Sequence, residues 1–147
     1  MMLINIQLDG GNYHAWRRGM KRVLLSKNKH KFVDRSILVP QFGSSLHKFW
    51  ERCNLMVISW IMKTVNTQIA QSIVYIENAR ELWKDLRERF SKGYHFRISY
   101  LLQELHSIRQ GERDVTKFFT KLKTLWEELK SLRPIRIAFA RLNVVVL

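Results

Sequence analysis

Cysteine is nearly missing: Cys53 is the single one in 147 residues. One thiol excludes an internal disulfide and any Cys-rich zinc site, and it fits a reducing compartment. Proline occurs twice and glycine six times, too few for a collagen-like or low-complexity chain and few enough to leave long helices uninterrupted. Acids are scarce as well, with 12 Asp and Glu against 26 Lys and Arg, for a formal net charge of +14. Such an imbalance says nothing about fold but selects polyanionic partners. No window reaches the roughly 18 apolar residues that a membrane-spanning helix needs. Residues 1–6 lack the basic-then-apolar order of a secretory signal. The expected protein is soluble, has no membrane partner and resides in the cytoplasm, with the nucleus as the alternative.

What is present is helical rhythm and aromatic bulk. After the turn at Leu8-Asp9-Gly10-Gly11, Asn12 is placed to cap a helix in which Tyr13, Trp16, Met20 and Leu24 share one face. The rhythm breaks at Lys27, and residues 40–45 read as a loop. From Leu46 two apolar stripes run together: Leu46, Phe49, Trp50, Cys53, Met56, Val57, Trp60 and Ile61, then Leu55, Ile58, Met62 and Val65. A helix apolar on two faces is packed on two sides, so this one is expected at the centre of the core, with Trp60 where the stripes converge. A shorter helix is expected around Gln68 to Tyr75.

Asn78 with Glu81 opens the next helix, whose buried stripe is Ala79, Leu82, Trp83, Leu86 and Phe90. Ile98, Leu101, Leu102, Leu105 and Ile108 mark another, closed near Gly111. Asp114 caps a last one carrying Val115, Phe118, Phe119, Leu122, Leu125, Trp126, Leu129 and Leu132, and Pro134 is expected to stop it. The tail beyond, ending Val144-Val145-Val146-Leu147, is apolar and β-prone with no partner strand. These elements describe an all-α chain, a compact bundle of five to seven helices over residues 1–134. A sub-boundary is expected in the 40–45 loop, and residues 135–147 form an unrelated tail.

No catalytic constellation stands out. His14, His30, His47, His95 and His106 are scattered, with no nucleophile beside one and no ligand set for a metal. Gly10-Gly11 lacks the Gly-Lys-Ser/Thr of a phosphate loop. The expectation is a non-enzyme with no catalytic, cofactor or metal residues, and no small-molecule substrate. Cys53 reads as a small core hydrophobe. Trp16, Trp50, Trp60, Trp83 and Trp126, with Phe90 and Leu122, read as core residues, since each falls on an apolar stripe.

The basic run is the candidate nucleic-acid site. Arg17, Arg18, Lys21, Arg22, Lys27, Lys29, Lys31 and Arg35 face the single acid Asp34 between residues 12 and 35. A solvated helix face normally mixes signs, so phosphate contact and a solubilising role both stay open. Any contact would be sequence-blind, since phosphates position a strand without identifying it. Glu81, Asp85 and Glu88, interleaved with Lys84, Arg87 and Arg89, read instead as an ordinary charge-laced surface.

Leu8-Asp9-Gly10 with Asn12-Tyr13 and Trp16, then Trp50, Asn54 and Ser59-Trp60-Ile61, form the first two blocks of a familiar order. Ala79-Arg80-Glu81-Leu82-Trp83 with Leu86 and Arg89-Phe90-Ser91 is the third. Gly111 onward, with Leu122, Trp126 and Leu129, is the fourth. Together they resemble the Gag polyprotein of copia-type plant LTR retrotransposons over residues 8–134. The resemblance implies a retroviral-capsid-like helical region that self-associates into a shell and has accessory, non-specific RNA binding. Such proteins usually continue into a zinc knuckle of three Cys and one His, so this chain reads as truncated before it. Two other readings stay open: a stand-alone basic helical module for nucleic acid, and a Gag-derived adaptor for protein partners.

Overall fold

Two backbone hydrogen bonds pin the start of the chain to a point far along it. Leu8 N–H donates to the Thr64 carbonyl at 2.8 Å, and Asn66 N–H donates to the Leu8 carbonyl at 2.9 Å. They form an isolated parallel bridge between Leu8 and Val65. The computed structural model describes residues 4–108 and 114–146. Among them no strand forms, and the elements are α1 (Tyr13–Ser26), α2 (Ser45–Met62), α3 (Thr67–Ile73), α4 (Ala79–Phe90), α5 (Tyr94–Ser107) and α6 (Val115–Val146). Short 3₁₀ turns lie at His30–Phe32 and Ser91–Gly93. The chain divides into two units, Met1–Lys92 and Gly93–Leu147. The 40–45 loop therefore lies inside the first unit, and the division falls between α4 and α5.

The first unit buries the α1 face that periodicity dictates: Tyr13, Trp16, Met20 and Leu24. Trp16 is fully covered, donates its indole N–H to Thr64 Oγ1 at 3.0 Å and packs against Trp83, ring centroids 5.6 Å apart. Phe32 and Val33, Val57 and Ile61, Ile69 and Ile73, and Ala79, Leu82 and Leu86 complete the cluster. Asn54 is the buried polar exception on α2. Its side-chain amide donates to the Glu77 carbonyl at 2.7 Å, and its oxygen accepts the Ala79 N–H at 2.8 Å. It thereby satisfies one of the free donors at the start of α4.

Helix starts follow local chemistry. Ser44, Asn66 and Asn78 cap α2, α3 and α4 by accepting N–H groups of the first turn. Asn12 does not cap α1. Its amide donates back to the Gln7 carbonyl at 2.7 Å and its oxygen accepts the Asp9 N–H at 3.0 Å, because the tight turn brings those groups within reach first. Gly10 makes that turn at φ +100°, a conformation that favours glycine, and a Cβ there would only just touch the Phe90 ring at 3.4 Å.

The expectation of a doubly packed α2 needs correcting. Asn54, Val57 and Ile61 are buried, and Trp50, Cys53 and Trp60 pack at the edge of the cluster, but Leu46, Phe49, Leu55 and Met56 are exposed. α4 and the His30–Phe32 turn pack on α2 and leave its Leu46, Phe49, Leu55 and Met56 uncovered. Trp60 is therefore half-buried, not central, and Lys27 Nζ lies 5.1 Å from its ring centroid.

The second unit is a helical hairpin. Leu101, Leu125 and Leu132 are buried between α5 and α6, with Ile98, Leu105, Ile108 and Leu129 around them. Arg97 grips Glu128 through a two-pronged contact at 2.6 and 2.8 Å. Asp114 caps α6 by accepting the Lys117 N–H at 2.7 Å. Leu122 is only partly buried, and Trp126, expected in the core, is 51% exposed, because α5 covers a single face of α6. Pro134 does not end α6, which continues to Val146. Proline removes one helical hydrogen bond, and the flanking residues still satisfy theirs within the helix. The β-prone Val144-Val145-Val146 stretch is helical for the related reason that no strand partner exists among the described residues. The turn at Gly111 lies outside the described residues.

Candidate nucleic-acid and assembly surfaces

The helical repeat sorts the basic run into different environments. Arg18 and Arg22 lie on the outer face of α1 and are exposed, as is Lys31 after the helix. Lys21 and Lys29 are half-buried at the margins. Lys27 turns inward over Trp60. Arg17 sits beside the buried stripe, its guanidinium carbon 6.0 Å from the Trp83 ring centroid. The eight cations therefore do not form one strand-binding face. Arg18 and Arg22 share the outer face of α1 and Lys31 is exposed beyond its end, while Arg17 and the exposed Arg35 belong elsewhere.

Elsewhere is a cleft of about 260 Å³, lined by Arg17, His30, Val33, Asp34 and Arg35 on one side and by Arg80, Trp83, Lys84 and Arg87 of α4 on the other. Sequence pattern alone reads Trp83 as core and Lys84 and Arg87 as an ordinary charge-laced surface, and it does not single out Arg80. The signal that identifies them is the spacing of Arg80, Lys84 and Arg87, which puts all three on one face. Of the helix's acids, Asp85 pairs with Arg89 at 3.3 Å and Glu88 lies 3.8 Å from Lys84.

Titration behaviour follows this geometry. Burial raises the Tyr13 phenol above the ordinary tyrosine value, while the charges of Arg17 and Arg87 and a hydrogen bond from Arg17 pull it back. Asp34 is held below the usual carboxylate range, chiefly by the Ser36 hydroxyl and N–H, with His30 adding a smaller effect. His30 Nδ1 lies 3.2 Å from the Asp34 carboxylate. Among the described residues no group of three or more His, Cys, Asp or Glu could hold a metal ion. No helix there is long and apolar enough to cross a membrane.

Apolar side chains also reach solvent in clusters. Leu38, Val39 and Phe42 in the loop before α2, with Leu46 and Phe49 on its first turns, are exposed, Phe42 by 88%. In the second unit Val115, Phe119 and Trp126 are exposed on α6. Their spacing of four and seven residues places them on one stripe.

No curated protein and no solved structure matches the chain. A family described as gag-polypeptide of LTR copia-type matches residues 20–136, which takes in the second half of α1 and all of α2 to α5. With an all-α architecture and a match over most of its length, this chain belongs to the copia-type LTR retrotransposon Gag family, a structural and non-catalytic one.

Proposed function

We propose that this chain is the helical shell unit of a Gag protein, associating with copies of itself and holding RNA through the outer face of α1. The observation that carries the reading is the large apolar side chains left in solvent on each unit, at 38–49 in the first and along α6 in the second. Soluble monomers rarely leave a contiguous apolar patch of more than a few hundred Å² uncovered. A shell subunit needs distinct surfaces to meet different neighbours. RNA enters as an accessory ligand: Arg18, Arg22 and Lys31 offer phosphate contacts without any group placed to distinguish bases.

Light scattering after size exclusion, over a concentration series without nucleic acid, tests the reading. The wild-type mass is expected to rise with concentration. Phe42→Ser with Phe49→Ser, and Phe119→Ser with Trp126→Ser, are each expected to lower it. A wild-type chain that stays monomeric until RNA is added refutes the shell reading and favours the stand-alone nucleic-acid module, which the outer basic face of α1 supports.

A further inference from the structure

We propose that the cleft between α1, the turn over 30–35 and α4 is a binding site for a multiply charged phosphate group, separate from the outer face of α1. Five permanent cations line it: Arg17, Arg35, Arg80, Lys84 and Arg87. Four are arginines, whose planar forks match phosphate oxygens two at a time. Like charges brought together from separate segments repel one another, so the arrangement disfavours the empty fold and favours an anion between them.

The protein does not supply that anion itself. Asp34 is the one carboxylate on the lining, and it is already taken up by the Ser36 N–H at 2.9 Å, the Ser36 hydroxyl and His30. Lys84 reaches Glu88 only at 3.8 Å. Among the described residues no carboxylate pairs with Arg35, Arg80 or Arg87. Arg35 also adopts φ +74°, the left-handed region that a side chain other than glycine rarely holds and that clusters at ligand sites.

Shape decides the class of ligand. The cleft, at about 260 Å³, falls just short of the roughly 300–1,000 Å³ typical of pockets for drug-sized molecules. Its apolar lining is Val33 and Trp83, and Trp83 is only 7% exposed, with Arg17 over its ring. That surface is a wall and offers no open stacking platform, so the ligand is phosphate and not a nucleobase. A free polyphosphate and a stretch of RNA backbone both present this chemistry.

Titration calorimetry on the full chain at fixed salt separates the sources, using inorganic tripolyphosphate in one arm and a short single-stranded RNA in the other. Tripolyphosphate is expected to bind once per chain and to raise the melting temperature. Arg80→Gln with Arg87→Gln is expected to weaken it at least about tenfold, as the loss of two charge-assisted contacts implies, while Arg18→Gln with Arg22→Gln changes it less than about twofold. If only RNA binds, and the α4 pair weakens it clearly more than the Arg18 and Arg22 pair on the outer face of α1, the phosphate is that of a nucleic-acid backbone and the site stands. The proposal is overturned if neither ligand binds the wild type, if the α4 pair binds as tightly as wild type, or if both pairs weaken binding equally. Relief of repulsion means the ligand-free α4 double variant should melt no lower than wild type. Should it fail to fold, Arg80→Lys with Arg87→Lys keeps the charge, loses the forks and is expected to bind several-fold more weakly; binding equal to wild type would overturn the proposal.

Discussion

Asn54→Leu tests how the first unit is clasped together. Leucine has the same branched side-chain skeleton as asparagine, somewhat bulkier and with no polar atoms, so the substitution leaves the Ala79 N–H and the Glu77 carbonyl without their partner. Ala79 is fully buried, whereas Glu77 is an exposed residue and its bond from Asn54 is only partly buried. A buried group left unpaired costs about 1–3 kcal/mol, and a partly wetted one less, so the expected loss is about 2–4 kcal/mol. That is a large share of the roughly 5–15 kcal/mol that stabilises an ordinary domain. For a unit of this size each kcal/mol moves the melting temperature by about 4–8 °C. Urea titration followed by far-ultraviolet circular dichroism and tryptophan fluorescence measures the loss. Asn54→Asp keeps the acceptor for Ala79 beside the positive end of α4, so it is expected to fall between wild type and leucine. A loss below about 0.5 kcal/mol for Asn54→Leu would mean that water satisfies both groups, and the clasp would not exist.

The tryptophans should rank by burial. Trp16→Ala is expected to cost about 3–5 kcal/mol, against about 1–2 kcal/mol for Trp60→Ala, whose ring is half-covered and capped by Lys27; equal losses in denaturant titration would contradict the packing. The raised Tyr13 pKa means that the folded state holds this proton more tightly than the unfolded chain. Its contribution is present below about pH 10 and is lost as pH climbs through the folded value, so Tyr13→Phe should flatten the alkaline decline in stability; parallel melting curves across that range would refute it. In the second unit, Arg97→Gln should cost about 1 kcal/mol and loosen α5 from α6. Amide exchange over Tyr94–Ser107 checks this, and unchanged protection would show that the ion pair holds nothing.

Much of the fold is written in local pattern, because a period of three to four residues is a property of one helix alone. The buried face of α1 and the caps at Asn78 and Asp114 are of this kind. Asn54 belonged to a recognisable block, but its reason became visible only when Glu77 and Ala79 were found against it. What local pattern does not contain is the identity of the neighbour. An apolar stripe says that a face is fit to be covered; Phe49 and Trp126 show that nothing within either unit covers all of it. Pro134 removes one hydrogen bond, yet the residues on both sides still close theirs. The basic run misled for a similar reason. Eight cations close in sequence point several ways, four of them around α1 and four beyond its end, and Arg17 finds its companions on α4, more than sixty positions later.

The bridge between Leu8 and Val65 has a consequence for how the chain is made. Gln7 reaches the Val65 carbonyl across 58 positions of sequence. At about 5–20 residues per second a ribosome takes roughly 3–12 s to cover that interval. During it α1 has been synthesised, but Trp16 has neither Thr64 nor Trp83 to close over it. The first unit therefore completes itself late, when α4 emerges, and until then a growing chain shows its most deeply buried aromatic face to whatever lies nearby. On a polysome, where many ribosomes read one message, the neighbouring growing chains are copies of the same protein and carry the same face.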